Sequence, residues 1–498
     1  MAVRTGVEYL DSIRDDRKVF LDGDLVKDVT AHPETRAIAE TMASVFDLQH
    51  RPDLRHILTI TTDDGEVQGS GWMIPKSLDE LIQRRQVTEI LARETGTTIT
   101  RSPEHGAISL LGMHELRHDF ANGDQDRLDA FDEIWRRCSS EDTAFVQGWI
   151  DPQYDRRKPA AQTDLIRVVE KNGKGIVVRG VKSIATQGAY ANTILVGTFP
   201  RPGLSPDQIM YFAVPANHPG MKIVCRPSHS KHDRENNPLA GRGDELDSML
   251  VFDDSFIPWE NVIAQGIPPA ATVRLFHRLS QFLHWDVLIR QGVRAEYILG
   301  AASNVVDSLG TGQIPAVKDH LAELIRFLET IRAFLTAAET LAVPSSWTGT
   351  YRPNSLQITA GRTYAAQNWQ HMHELLQDLC GSGLLMQPTP ADYANEEISP
   401  WLNRVHEGVG FTAEERSRIF RLVWDMTATE TSARSHIYER FNSAPWFVTR
   451  TQLFDRYDRQ REKMLALKLA GVDPQKAQVE LGQIERPWGS HLDAVNKS

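Results

Sequence analysis

The feature that most constrains this chain is its hydrophobic period, which changes twice along the sequence. From Arg274 to Leu309 apolar residues recur at helical spacing with little to break them. Further helical patterns cover His320–Val343, Ile358–Leu379 and Ala413–Phe441. Four long amphipathic helices in succession bury their apolar stripes best against one another, so residues 271–455 are expected to form a bundle. Residues 146–270 have another texture. Leu165–Lys171 and Gly175–Thr186 are β-branched runs around Asn172-Gly173, a hairpin signature. Ala191–Phe199, Ile209–Ala216, Met221–Ser228 and Ser248–Pro258 follow as strand candidates, so an antiparallel sheet or barrel is expected there. Residues 1–145 show helical spacing again in Pro33–His50, Asp79–Gly96 and Gln125–Cys138; Leu81, Ile82, Val87, Ile90 and Leu91 mark one apolar face. The expected class is α+β, mostly α: an N-terminal helical domain, a middle antiparallel β domain and a C-terminal four-helix bundle. Residues 456–498 form a charged tail expected at subunit contacts.

Composition narrows the function classes. The chain is 41% hydrophobic and 24% charged, enough for a large core and a soluble surface. Its net charge of −11 argues against nucleic acid or an anionic membrane as the main partner, since both need a positive footprint. Cys138, Cys225 and Cys380 are odd in number and far apart, which implies neither a disulfide framework nor a CxxC metal site. The N-terminus lacks an apolar signal segment, and no uncharged run approaches the roughly 18–20 residues that span a bilayer. A cytoplasmic location is expected.

Individual motifs are weak. Gly408-Val409-Gly410-Phe411-Thr412-Ala413 is the nearest match to a dinucleotide fingerprint, but it follows a helical segment and is expected to connect helices. His114-Glu115-Leu116-Arg117-His118 is a literal HExxH, which on one helix could hold zinc with Glu115 as general base and Glu133 or Glu141 as third ligand. The plainer alternative is a polar helix face. His229 and His232 lie in a charged, Asn-rich loop that is either solvated or placed over a site. Asp286 shares a helix face with Leu279, Phe282 and Leu283, so its carboxylate needs a partner or a task. An i,i+4 ion pair with Arg290 competes with a role lining a cavity. His284 stands two residues back, on roughly the opposite face.

Taken together, ordered blocks along the whole chain resemble the 4-hydroxyphenylacetate 3-monooxygenase (large component) family, nearest its chlorophenol and nitrophenol branch. They begin with Arg4-Thr5-Gly6-Val7-Glu8-Tyr9-Leu10-Asp11, Arg101-Ser102-Pro103-Glu104 and Asp151-Pro152-Gln153-Tyr154-Asp155-Arg156. Gly180 to Thr186, Gly243-Asp244-Glu245-Leu246-Asp247 and Leu288-Ile289-Arg290-Gln291 continue the series, and Tyr438-Glu439-Arg440-Phe441-Asn442 falls late in the chain. The resemblance implies an acyl-CoA-dehydrogenase-like fold and a homotetramer, built as a dimer of dimers, with FAD near subunit contacts. It implies the oxygenase component of a two-component system: a separate NAD(P)H-dependent flavin reductase supplies FADH2, and O2 reacts with it to a C4a-hydroperoxyflavin that hydroxylates a phenol or related aromatic, with or without loss of halide or nitrite.

By the matching blocks, Arg101 is the cation for a phenolate or the peroxide. Gln153, Tyr154, Asp155, Arg156, Thr186 and Gln187 are expected at the flavin, with Thr186 near its N5 or O4. Phe441 and Asn442 are expected at the aromatic pocket. His105 and Gln147 stand where the hydroxyphenylacetate branch carries a tyrosine and a histidine, so that branch's own substrate is disfavoured. His284 is the first choice for the base that takes the phenol proton and Asp286 the second. The alternatives are a zinc hydrolase built on His114, Glu115 and His118, a non-catalytic flavin carrier, or a flavin enzyme of the same scaffold without oxygenase chemistry. An iron–sulfur dehydratase among the last would need more thiolates than three scattered cysteines supply.

Overall fold

A computed structural model describes residues 3–473 apart from 122, 201, 202 and 443. Helices dominate both ends. The third zone opens with a helix of 41 residues, Pro269–Leu309, followed by Pro315–Thr340 and Ser355–Cys380. These three pack on one another through Leu288, Ala302, Val305, Phe327, Ile331, Ala365 and Trp369, all fully or nearly fully buried. The expected fourth helix is two, Ala413–Thr427 and Glu430–Phe441. The break falls at Thr429, whose hydroxyl accepts from the Ser432 amide and starts a new helix with a capping box. Apolar periodicity continues through such a break, so it does not reveal one.

The middle zone carries two sheets rather than one, and the first zone, expected to be helical, lends the larger sheet two strands. The larger runs Asp24–Val26, Val19–Leu21, Met221–Cys225, Asp247–Pro258, Gly175–Thr186, Arg167–Asn172. The smaller runs Val262–Gln265, Met210–Pro215, Thr193–Gly197, Phe145–Gly148. The hairpin forms, but Asn172 pairs with Gly175, so Gly173 and Lys174 make the turn. Pairing is not all antiparallel: Val19 aligns parallel with Ile223, and Phe145 with Thr193. Strands of three and four residues are too short for a period of two to show in the sequence.

The helix Pro103–His114 ties these layers together. Its residues from Pro103 to Met113 are all buried. Gly106 lets it lie directly on the Phe145–Gly148 strand, because a Cβ there would overlap the Phe145 carbonyl. Ile108, Leu111, Phe145, Trp149, Tyr211, Leu279 and Phe282 then form one apolar cluster. Three layers converge here: the first helical zone, the smaller sheet and the long helix at 269–309. Among the described residues no helix is long and apolar enough to cross a membrane.

Candidate active site

A cavity of about 590 Å³ opens where the two sheets meet the C-terminal helices. Much of its wall is apolar: Trp149, Ile150 and Ile184 from the β layer, Phe276 and Leu283 from the long helix, Ile437 and Phe441 from the Glu430–Phe441 helix. Gly197 makes room for the Trp149 indole, which a Cβ would strike. Polar side chains also reach the lining, among them Arg101, Gln147, Thr186, Ser280, Arg434 and Asn442. That size and lining suit a planar, mostly apolar ligand with a polar edge.

Arg101 precedes the buried helix by two residues. Its Nη2 donates to Asn442 Oδ1 at 2.9 Å, and its Nη1 donates to Gln147 Oε1 at 3.3 Å and faces His105 Nε2. Each acceptor is fixed in turn. Gln147 Nε2 donates to the His105 carbonyl at 3.1 Å. The Asn442 carbonyl accepts from Arg362 Nη2 at 2.8 Å. His105 Nδ1 bonds Asp286 Oδ2, and Thr88 donates to Asp286 Oδ1 at 2.9 Å. Burial and the Arg101 charge push His105 down to about 4, against the pull of Asp286. Burial would raise the Asp286 carboxyl, but His105, Arg290 and Thr88 hold it below its usual range. The pair is therefore an ionised Asp286 and a neutral His105. Glu104, buried and close to Asp286, is pushed up to about 8 and is protonated at neutral pH.

The other end of the cavity rests on charge pairing. Thr186 ends its strand opposite Asp247 in the neighbouring strand, and its hydroxyl donates to Asp247 Oδ1 at 2.7 Å. Arg434 bridges Asp247, at 2.7 and 2.9 Å, and Glu245, at 2.6 Å, which clamps the Glu430–Phe441 helix onto the sheet. Burial opposes ionisation of Asp247, yet Arg434 and Arg226 hold it well below the usual carboxylate range. Arg226 is paired with Asp244 and Asp247.

Several sequence expectations meet here, and others do not. Arg101, Gln147, Thr186, Phe441 and Asn442 line one cavity. His229 lines it too, whereas His232 is exposed and paired with Glu34 at 3.2 Å. His105 lies behind Arg101. Asp286 does not pair with Arg290: it bonds His105 and Thr88, and Arg290 bonds Glu439 from a distant helix. His284 is buried and, like Asp286, is not among the lining residues. Gln153, Tyr154, Asp155 and Arg156 sit on a loop leaving the wall after Ile150; Arg156 stacks on Tyr154 and Asp155 pairs with Arg157, outside the lining. Gln187 is fully buried in a left-handed turn behind Thr186, at φ 67°. Thr88, Trp149, Asp247, Ser280 and Arg434 went unforeseen. The Gly243–Asp247 block was a signal for Asp247, but its partners are strands and helices away.

The HExxH reading fails on geometry. The helix ends at His114, so His118 falls in a separate short helix, Arg117–Ala121, and is exposed. The Arg117 guanidinium lies against the His114 ring, 2.8 and 3.0 Å from its nitrogens, and Glu115 bonds Thr348. Among the described residues no three His, Cys, Asp or Glu side chains are placed to share a metal. Cys138, Cys225 and Cys380 are free, each in a different apolar cluster, so they cannot share one iron–sulfur cluster. Gly408 to Phe411 is the expected connection between helices.

Fold and cavity together define a flavoenzyme of acyl-CoA-dehydrogenase-like architecture. The donor set fits that cofactor: an aromatic wall with Thr186 at its edge, and a buried Trp149 Nε1 with no partner among the described residues. Residues 5–264 match the 4-hydroxyphenylacetate 3-hydroxylase N-terminal model and residues 271–471 the C-terminal one. The chain is 36% identical over 479 residues to the oxygenase component of 4-nitrophenol 4-monooxygenase/4-nitrocatechol 2-monooxygenase of Rhodococcus opacus, covering 92% of this chain and 89% of the relative. It is 36% identical over 453 residues to 2,4,6-trichlorophenol monooxygenase of Cupriavidus pinatubonensis, covering 89% and 87%. The crystal structure of the oxygenase component of 4-hydroxyphenylacetate 3-monooxygenase complexed with FAD superposes with a TM-score of 0.88 at 28% identity, covering 94% of this chain and 99% of the other. An archaeal 4-hydroxybutyryl-CoA dehydratase shares the fold at 22% identity and a TM-score of 0.86. The chain belongs to the 4-hydroxyphenylacetate 3-hydroxylase family, as the oxygenase component of a two-component, FADH2-dependent aromatic monooxygenase.

Proposed function

We propose that this enzyme hydroxylates small phenols bearing halogen or nitro groups, bound as phenolates on Arg101. One observation carries the reading. Arg101 faces an apolar cavity and has only neutral acceptors, His105, Gln147 and Asn442, with no carboxylate partner among the described residues. A guanidinium in such a place attracts one anionic oxygen strongly. The other arginines of the lining, Arg226 and Arg434, are committed to Asp244, Asp247 and Glu245. A second anionic group on the substrate, such as the carboxylate of hydroxyphenylacetate, therefore finds no uncommitted arginine in the lining among the described residues. The aromatic walls hold the ring.

Bound reduced flavin supplies the activation of O2. The chain supplies position and dryness. Arg101 stabilises phenolate, which is more electron-rich and reacts faster than phenol with an electrophilic oxygen. Thr186 has donated its hydrogen to an ionised Asp247, so toward the cavity it can only accept. With flavin bound, Thr186 would therefore favour the N5–H of the reduced form over the bare N5 of the oxidised form. The apolar walls keep water from the reacting oxygen. His284 remains the candidate to take the phenol proton, as neighbour of Leu283 on the wall. Gln153 to Arg156 are assigned to the outer part of FAD, beyond the cavity. The working enzyme is a cytoplasmic homotetramer fed by a separate NAD(P)H-dependent flavin reductase.

The test is to incubate the protein with a generic flavin reductase, NADH, O2 and a panel of chlorophenols, nitrophenols and 4-hydroxyphenylacetate, with products read by mass spectrometry. Products gaining one oxygen, or exchanging halide or nitrite for hydroxyl, are expected from the first two groups. Turnover confined to 4-hydroxyphenylacetate would overturn the assignment.

A further inference from the structure

The Asp286–His105 pair sits behind the cavity wall and touches neither a ligand site nor solvent. Both side chains are at most 2% exposed. Burying an ionised carboxylate against a neutral imidazole is costly, so the arrangement needs a reason. Its consequence is directional. An ionised carboxylate only accepts, so Nδ1 of His105 carries the imidazole proton and Nε2 is left with a lone pair. That lone pair faces Nη1 of Arg101. The His105 backbone works to the same end. Its carbonyl accepts a hydrogen bond from Gln147 Nε2 at 3.1 Å, which turns Gln147 Oε1 toward Arg101 at 3.3 Å. One residue thus presents an acceptor itself and makes a second residue present another.

We propose that His105 and Asp286 are positioning residues for Arg101: Asp286 fixes the imidazole tautomer, and His105 with Gln147 aims the guanidinium at the phenolate through neutral acceptors that leave its charge uncompensated. A carboxylate placed directly on Arg101 would orient it equally well but neutralise it. Setting Asp286 one imidazole further back keeps the orientation and moves the negative charge away. The inference deepens the assignment of Arg101 as phenolate site and rests on it.

The variants follow from the hydrogen inventory. Asp286→Asn keeps shape and the bond from Thr88, but its amide donates to Nδ1. The proton moves to Nε2, which then opposes the Arg101 donor. His105→Gln puts an amide oxygen where Nε2 was and restores an acceptor for Arg101 without the pair. His105→Asn is too short to do so.

The probe is 4-nitrophenol, whose ionised form is yellow and neutral form colourless, titrated into flavin-free protein at a pH one unit below the ligand's own pKa. Wild type is expected to bind it yellow. Arg101→Ala should bind roughly tenfold or more weakly and colourless. Asp286→Asn should show most of that loss, and Arg101→Ala/Asp286→Asn should be no worse than Arg101→Ala alone. His105→Gln should stay within about threefold of wild type, and His105→Asn should resemble Asp286→Asn. If Asp286→Asn unfolds, the two His105 variants decide the question. If Arg101→Ala binds the yellow form as wild type does, the phenolate assignment itself falls. If Arg101→Ala loses it while Asp286→Asn, or both His105 variants, keep it, only the positioning role falls. Equal loss in His105→Gln and His105→Asn, or additive losses in the double variant, would also overturn that role.

Discussion

Arg101 Nη2 lies 2.9 Å from Asn442 Oδ1, joining residues 341 positions apart across the mouth of one cavity. The loop before a buried N-terminal helix and the end of the Glu430–Phe441 helix close on the same guanidinium. Arg101→Lys should keep a charge but lose the fork that meets three acceptors, and kcat/KM for a chlorophenol should fall roughly tenfold to a hundredfold. Arg101→Ala should cost about 10² to 10³, the scale of losing one preorganised donor. Steady-state product formation under excess reductase checks both. Values within threefold of wild type would remove Arg101 from the chemistry.

Thr186→Val deletes a hydroxyl whose hydrogen is held by Asp247 at 2.7 Å and keeps the volume. Affinity for reduced flavin should fall roughly threefold to tenfold, the worth of one hydrogen bond, with oxidised FAD little changed. Anaerobic fluorescence titration with each redox form measures the ratio. A parallel loss for both forms would mean that Thr186 does not discriminate between them.

Glu104 makes a prediction about stability with a defined sign. Its carboxyl is near 4.5 when unfolded and pushed up to about 8 by burial and by Asp286 when folded. Between those values the unfolded chain releases a proton that the folded protein keeps, so this group's contribution declines as pH rises from about 4.5 to about 8. Glu104→Gln cannot ionise and should stabilise the protein at pH 8 relative to pH 5, by on the order of 3 kcal/mol. Urea unfolding of both proteins at the two pH values tests it. An equal effect at both would show that Glu104 is ionised in the fold.

Removal of divalent metals should leave turnover unchanged, since Glu115 is bonded to Thr348 and His118 stands exposed on a separate helix. Activity lost to a chelator and restored by zinc would contradict this reading of the HExxH segment.

Much of the architecture was legible from local pattern. The long helix at Pro269–Leu309 and the hairpin around Gly173 and Lys174 follow from contacts between residues two to four apart, and such contacts repeat in the sequence. The ordered blocks likewise marked Arg101, Thr186, Phe441 and Asn442, which the fold gathers around one cavity.

Which groups pair was decided only by the tertiary structure. Asp286 had Arg290 one turn away, yet it bonds His105, 181 residues distant, while Arg290 is taken by Glu439, 149 residues distant. A nearby partner on a helix contributes a few tenths of a kcal/mol, less than the cost of leaving a buried charge unpaired. Long-range packing therefore overrides local spacing wherever charge is buried. Thr186 is likewise held by Asp247, 61 residues distant, and the helix end at His114 parts that residue from His118. Sequence period set the scaffold; burial, summed over elements that meet only after folding, set the chemistry.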